Sequence, residues 1–188
     1  MSFAAGLQGA MLLAKGRPEG ARLMAGEGAA VARSFWAAPI CLPGFIALRL
    51  LDWADAGWPP RPLHAAGLEL LAYVIGWAGF ALASRQVVAG MEQEARWPRF
   101  IVAWNWCNVI QYVLLLAGAV PELLGAPSWA AETSSLVVAG WALWLEWFAT
   151  RVTLGIGAVG ACAIVALDLF LGISLTSLVD ALSGVAGG

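Results

Sequence analysis

Apolar residues gather into five long runs, about Phe35–Leu51, Ala65–Ser84, Phe100–Val120, Ser134–Thr150 and Val152–Leu171. A helix needs about 20 apolar residues to cross the hydrocarbon core of a bilayer. A helix also satisfies its own backbone groups, which lipid cannot do. The pattern therefore predicts an all-α fold, a polytopic transmembrane helical bundle of about five spans. The first run is short and holds Pro39 and Pro43, which predicts a kink or a broken first turn. Trp58-Pro59-Pro60-Arg61-Pro62 makes Asp52–His64 a loop. The second run extends helically as far as Met91, and a polar link, Glu92–Arg99, follows. Pro121 is expected to stop the third run before a loop over Leu123–Thr133. Arg151 marks a tight turn into the fifth run, and a Ser/Thr-containing tail follows Gly172.

The chain divides into residues 1–33, a cytoplasmic N-terminal segment, and residues 34–188, the five-span transmembrane domain. Phe3, Leu7 and Met11 recur every four residues and share one helical face. Two readings of the first segment stand side by side: a short interfacial helix with Lys15 and Arg17 at anionic headgroups, or a loosely ordered tail. Met1–Ala14 has no basic residue before its apolar stretch, so it does not read as a cleaved signal peptide.

Charge fixes the expected orientation. Lys15, Arg17, Arg22, Arg33, Arg85, Arg96, Arg99 and Arg151 fall on one side of the five runs, whereas only Arg49 and Arg61 fall on the other. The positive-inside rule then puts the N-terminus in the cytoplasm and the C-terminus outside, in the periplasm of a bacterial inner membrane. Trp36, Trp97 and Trp147 fall near the inner interface, and Trp53, Trp58 and Trp129 near the outer one.

Composition agrees and excludes other classes. The chain of 188 residues is 61% hydrophobic and 12% charged, with a mean hydropathy of +0.80. The charged share is about half that of a soluble domain. A net charge of −2 with no basic stripe argues against a nucleic-acid partner. Cys41, Cys107 and Cys162 each lie in an apolar run without CxxC spacing, and with the lone His64 they form no metal or disulfide pattern. No cofactor is implied. Gly155-Ile156-Gly157-Ala158-Val159-Gly160 fits GxGxxG by letter, but it lacks a preceding strand and is rejected as a nucleotide site.

Polar residues inside spans are costly and mark the candidates. Asp168 lies about 24 Å beyond Val152 and Arg49 about 20 Å beyond Trp36, at 1.5 Å per residue. Their matched depths predict an Arg49–Asp168 ion pair that fixes helix register, with an ion or proton relay as the functional alternative. Glu146 lies in the inner half of the fourth span, with Arg85 and Arg151 as expected partners. Glu69 lies near the outer end of the second span. Asn105, Asn108 and Gln111 share a stripe of about 120° on the third span. They read as interhelical hydrogen-bonding groups, or as the lining of a polar path. Gly157, Gly160 and Ala161 share a face of the fifth span with Asp168, which predicts close helix packing there.

Arg99-Phe100-Ile101-Val102-Ala103-Trp104-Asn105-Trp106 and Arg151-Val152-Thr153-Leu154-Gly155 resemble segments of small bacterial inner-membrane proteins. The five-span layout is similar to that of the Yip-type membrane proteins, whose eukaryotic members are linked to Rab GTPases and vesicle traffic. The resemblance covers layout and two short segments and transfers no functional residue.

No catalytic motif is present, so the chain reads first as a non-enzymatic scaffold or accessory subunit of a membrane assembly. Its expected partners are membrane lipid and other membrane proteins or a second copy. A small transporter or channel is the alternative, with Asp168, Arg49 and the Asn105–Gln111 stripe along its path. An enzyme acting on lipid comes last, with only Glu146 and Asn105 to offer.

Overall fold

The computed structural model describes residues 2–24 and 26–184; Met1 and Ala25 of the expected 1–33 segment, and 185–188 at the end of 34–188, lie outside the described residues. The fold is all-α, as predicted. Among the described residues seven α-helices follow one another: α1 (Phe3–Ala14), α2 (Gly28–Ser34), α3 (Ala37–Ala56), α4 (Pro62–Gly90), α5 (Trp97–Leu123), α6 (Ser128–Leu154) and α7 (Ala158–Ser183). Short 3-10 turns, Pro18–Leu23 and Glu94–Arg96, precede α2 and α5.

Four stretches, Gly28–Ala56, Pro62–Gly90, Glu94–Leu123 and Ala158–Ser183, are long and apolar enough to cross a membrane. The chain is thus a multi-pass membrane protein. The expected fourth span lies within α6, which has 27 residues but is not among those four. Its Glu132, Thr133, Ser134, Ser135, Glu146 and Arg151 dilute its apolar character.

Several boundaries differ from expectation, each for a local reason. Pro39 falls in the first turn of α3, where its missing N–H has no helical partner to lose, and the helix carries Pro43 without breaking. Pro121 does not stop α5, which continues to Leu123, because a proline in the last turn removes one bond at a fraying end. Residues from Ser128 onward are helical, so the expected Leu123–Thr133 loop shrinks to a few residues. Arg151 is not a turn. The helix α6 runs past it to Leu154, and Gly155 turns the chain at φ 64, a left-handed conformation natural to glycine. Arg96 secures this end by donating from Nη1 to the Leu154 carbonyl at 2.8 Å. The helix α7 then continues past Gly172 to Ser183, where Gly184 caps it at φ 78.

The centre of the bundle is α5. All eight residues from Phe100 to Cys107 are buried, the mark of a helix enclosed on every side. The helices α1, α2, α3 and α6 pack around it, and α4 pairs with α7. Aromatic side chains join the two groups: Trp104 stacks on Phe80 at 4.4 Å and meets Trp77 edge-on at 5.0 Å.

The helix α1 packs against α5. Ser2 Oγ accepts from the Ala5 N–H at 3.3 Å and caps it. Gly6, Gly9, Ala10 and Leu13 face inward, while Phe3, Leu7 and Met11 face outward. Phe3 meets Trp106 edge-on at 5.6 Å. A Cβ at Gly6 would sit 2.5 Å from the Trp106 indole nitrogen, so only glycine permits this approach. Gly6→Val should therefore loosen α1, at a cost of about 1–3 kcal/mol. Trypsin should then cut at Lys15 and Arg22 several-fold faster than in wild type. Unchanged cleavage kinetics would mean that α1 does not depend on this contact.

Candidate functional site

Each of the four membrane-crossing helices contributes a strip of residues spaced by four, hence one face of one helix. On α3 the strip is Phe45 and Arg49; on α4, Glu69, Tyr73 and Trp77; on α5, Trp104, Asn108 and Tyr112; on α7, Asp168, Gly172 and Thr176. Together they line a cleft of about 180 Å³, room for on the order of ten waters or one small solute. The cleft exists because α3 packs on α5, and α4 on α7, with little backbone approach between α3 and α4. Those two meet through long side chains: Tyr73 donates to the Ala38 carbonyl at 2.7 Å, and its ring lies 4.6 Å from that of Phe45.

At one end of the cleft sits Arg49. The expected Arg49–Asp168 pair does not form. Arg49 instead lies 3.1 Å from Asp52 and 3.6 Å from Glu69, and its guanidinium sits 5.8 Å above the Phe45 ring. Helix boundaries explain the change of partner. Arg49 precedes the end of α3 by seven residues and Glu69 follows the start of α4 by seven. Both therefore lie about 10 Å from the connecting loop. Glu69, near the outer end of the second span, is buried and is the main partner of Arg49 inside the bundle.

Asp168 lines the other end, and Glu146 is buried next to it, outside the cleft wall. Because α7 begins at Ala158 rather than Val152, Asp168 lies ten residues into its helix, about 15 Å and not 24 Å from the turn. Glu146 precedes the end of α6 by eight residues, about 12 Å from the same turn. The antiparallel hairpin brings the two carboxyls within hydrogen-bonding reach of each other. Trp104 Nε1 donates to Asp168 Oδ2 at 3.2 Å. The expected partners of Glu146 are elsewhere. Arg85 pairs with Glu94 at 3.2 Å on the surface, and Arg151 lies over the Trp147 ring at 5.3 Å. Among the described residues, neither Glu146 nor Asp168 has an Arg or Lys within ion-pair distance.

The amide stripe of α5 does not stay together, because an enclosed helix turns each part of a 120° stripe toward a different neighbour. Asn105 Nδ2 donates to Ser34 Oγ at 2.8 Å, and Gln111 Nε2 to the Ala142 carbonyl of α6 at 2.8 Å. These two are interhelical bonds, as the packing reading expects. Asn108 alone lines the cleft, its Nδ2 bonded to the Trp104 carbonyl at 3.0 Å.

The predicted small-residue face is mostly overturned. Gly157 is the N-cap of α7 with open space beside it, and a Cβ on Gly160 would meet only Ile156. The break at Gly155–Gly157 takes Gly157 out of the helix, and Gly160 lies in the first turn of α7 against Ile156 rather than against another helix. Ala161 is fully buried, as expected. Sequence reasoning passed over Tyr73, Trp77, Trp104, Tyr112 and Thr176, although their spacing of four from Glu69, Asn108 and Asp168 was present to be seen.

Among the described residues no three His, Cys, Asp or Glu side chains converge as metal ligands. Comparison of the chain with family models, with curated proteins and with solved structures finds no match.

Removing one partner of a buried ion pair strands the other, whereas removing both does not. Arg49→Ala should thus lower the thermal midpoint in mild detergent more than Arg49→Ala/Glu69→Ala does. A double variant at least as unstable as the single would mean that the pair is not coupled.

Proposed function

We propose that the protein is a small transport protein of the bacterial inner membrane. Its N-terminus is cytoplasmic and its C-terminus periplasmic. A small polar or charged solute passes through the cleft between α3, α4, α5 and α7. The observation that carries this reading is the cleft itself, which reaches from the Arg49–Glu69 pair to Asp168 along four helices apolar enough to cross a membrane. An Arg49–Asp168 bond across a closed interior would have served register alone. Two charged ends separated by a hollow serve a path. Aromatic rings between those ends restrict the cleft to something small.

The accessory-subunit reading rests on paired polar residues, the small-residue face of the last span and the absence of a catalytic motif; the outward apolar faces, such as Leu136 and Val137 of α6, would be its docking surface. Lipid covers such faces equally well, so they favour no protein partner. The similarity to Yip-type proteins concerns layout and assigns no role to any cleft residue.

Thiol labelling tests the path. In a chain with Cys41, Cys107 and Cys162 changed to Ala, Thr176→Cys lies in the cleft wall, whereas Ile173→Cys lies on the outward face of the same helix, where residue 173 is 65% exposed. A charged, membrane-impermeant thiol reagent added from the periplasmic side should label Thr176→Cys at least ten-fold faster than Ile173→Cys. Equal, negligible labelling of both would remove the wet path. Labelling only from the cytoplasmic side would reverse the proposed orientation.

A further inference from the structure

The transport reading leaves open what the buried acid pair at the inner end of the cleft is for. Glu146 is 7% exposed, and its Oε1 has no hydrogen-bonding partner. One turn further along α6, the buried hydroxyl of Thr150 is also unpartnered. Asp168 receives one donor, the Trp104 indole, and shares its remaining contact with Glu146. The other ionisable groups close enough to influence the pair, Cys107 and Tyr112, are on α5, and neither can carry positive charge. The basic residue nearest along the cleft, Arg49, already has two acidic neighbours.

Two facing carboxyls in a low-dielectric site cannot both stand as bare anions. Each intramembrane charge needs a partner, and the protein supplies none here. Among the described residues no third acidic or imidazole ligand joins the two carboxyls, too few for a divalent cage, and one positive charge shared between them is enough to relieve their repulsion. We infer that Glu146 and Asp168 form a binding site for a single monovalent cation, a proton or an alkali-metal ion, at the inner end of the cleft, where Asp168 lines the wall and Glu146 is buried next to it. Trp104 holds Asp168 in place, and the cleft delivers the cation from the Arg49 side. Glu146 and Asp168 touch the ion; Trp104 is a positioning residue. A proton binds by forming an O–H bond to one carboxylate oxygen and leaves by breaking it, whereas an alkali ion is held by the oxygens without a covalent bond; either cation leaves as it entered. The inference rests on the cleft being the path.

The test uses the full chain in lipid nanodiscs. If the charge is a proton, the infrared spectrum at neutral pH should contain a protonated-carboxyl band that shifts in heavy water. Glu146→Gln and Asp168→Asn should each abolish it, and Asp168→Glu should retain it. If the charge is an alkali ion, replacing choline chloride with sodium, potassium or lithium chloride at fixed ionic strength should raise the thermal midpoint by several degrees for one ion. Both neutral variants should lose that shift. Wild type with neither signal, or with signals that persist in both variants, overturns the site. Both measurements can be made on wild type, so a variant that fails to fold does not decide the matter. Labelled Thr176→Cys without a bound charge removes this site and leaves the path. A bound charge with unreactive Thr176→Cys keeps the cation site and removes the path.

Discussion

Enclosure of the first half of α5, Phe100–Cys107, is the constraint on which the rest of the bundle depends. In lipid, helices gain little from hiding apolar surface, so their association relies on close packing and polar contacts. The chain meets this by surrounding one helix. Gly6 lets α1 settle on Trp106, Asn105 ties to Ser34 at the end of α2, and Gln111 ties to α6. Trp104 then reaches across to Phe80 and Trp77 of α4. Every other element takes its place relative to these contacts.

The far side of the bundle is built differently, and the difference creates the hollow. The helices α4 and α7 pack on each other, and α3 stays with α5. Long side chains bridge what remains. Because the backbones stand apart, polar groups such as Arg49, Glu69, Asn108 and Asp168 find room inward, away from lipid. A closely packed five-helix bundle would have no place for them except in matched pairs.

Much of the fold was legible because a run of apolar residues reports a helix without reference to its neighbours. Runs misreport where helices end, however, since a charged residue can sit inside a helix whose backbone continues. Arg151 was read as a turn for that reason, and the error moved the apparent depth of Asp168 by several residues. Partner choice was less legible still. Arg49 and Asp168 matched in counted depth, but which helices face one another depends on packing around α5 and not on chain order. The strips spaced by four, Glu69-Tyr73-Trp77 and Trp104-Asn108-Tyr112, were written in the sequence all along. They were hidden because aromatic residues in an apolar run look like ordinary lipid-facing filler.

The turn at Gly155–Gly157 also acts as a phase setter. Successive residues of a helix are rotated by about 100°, so the count from this turn decides not only how deep Asp168 lies but which way it faces. One residue gained or lost between Ala158 and Asp168 would swing the carboxylate away from Glu146 and toward another helix or lipid. The hydrogen bond from Arg96 to Leu154 fixes the origin of that count. Length here is therefore as strictly set as residue identity, and the segment should tolerate substitution far better than insertion.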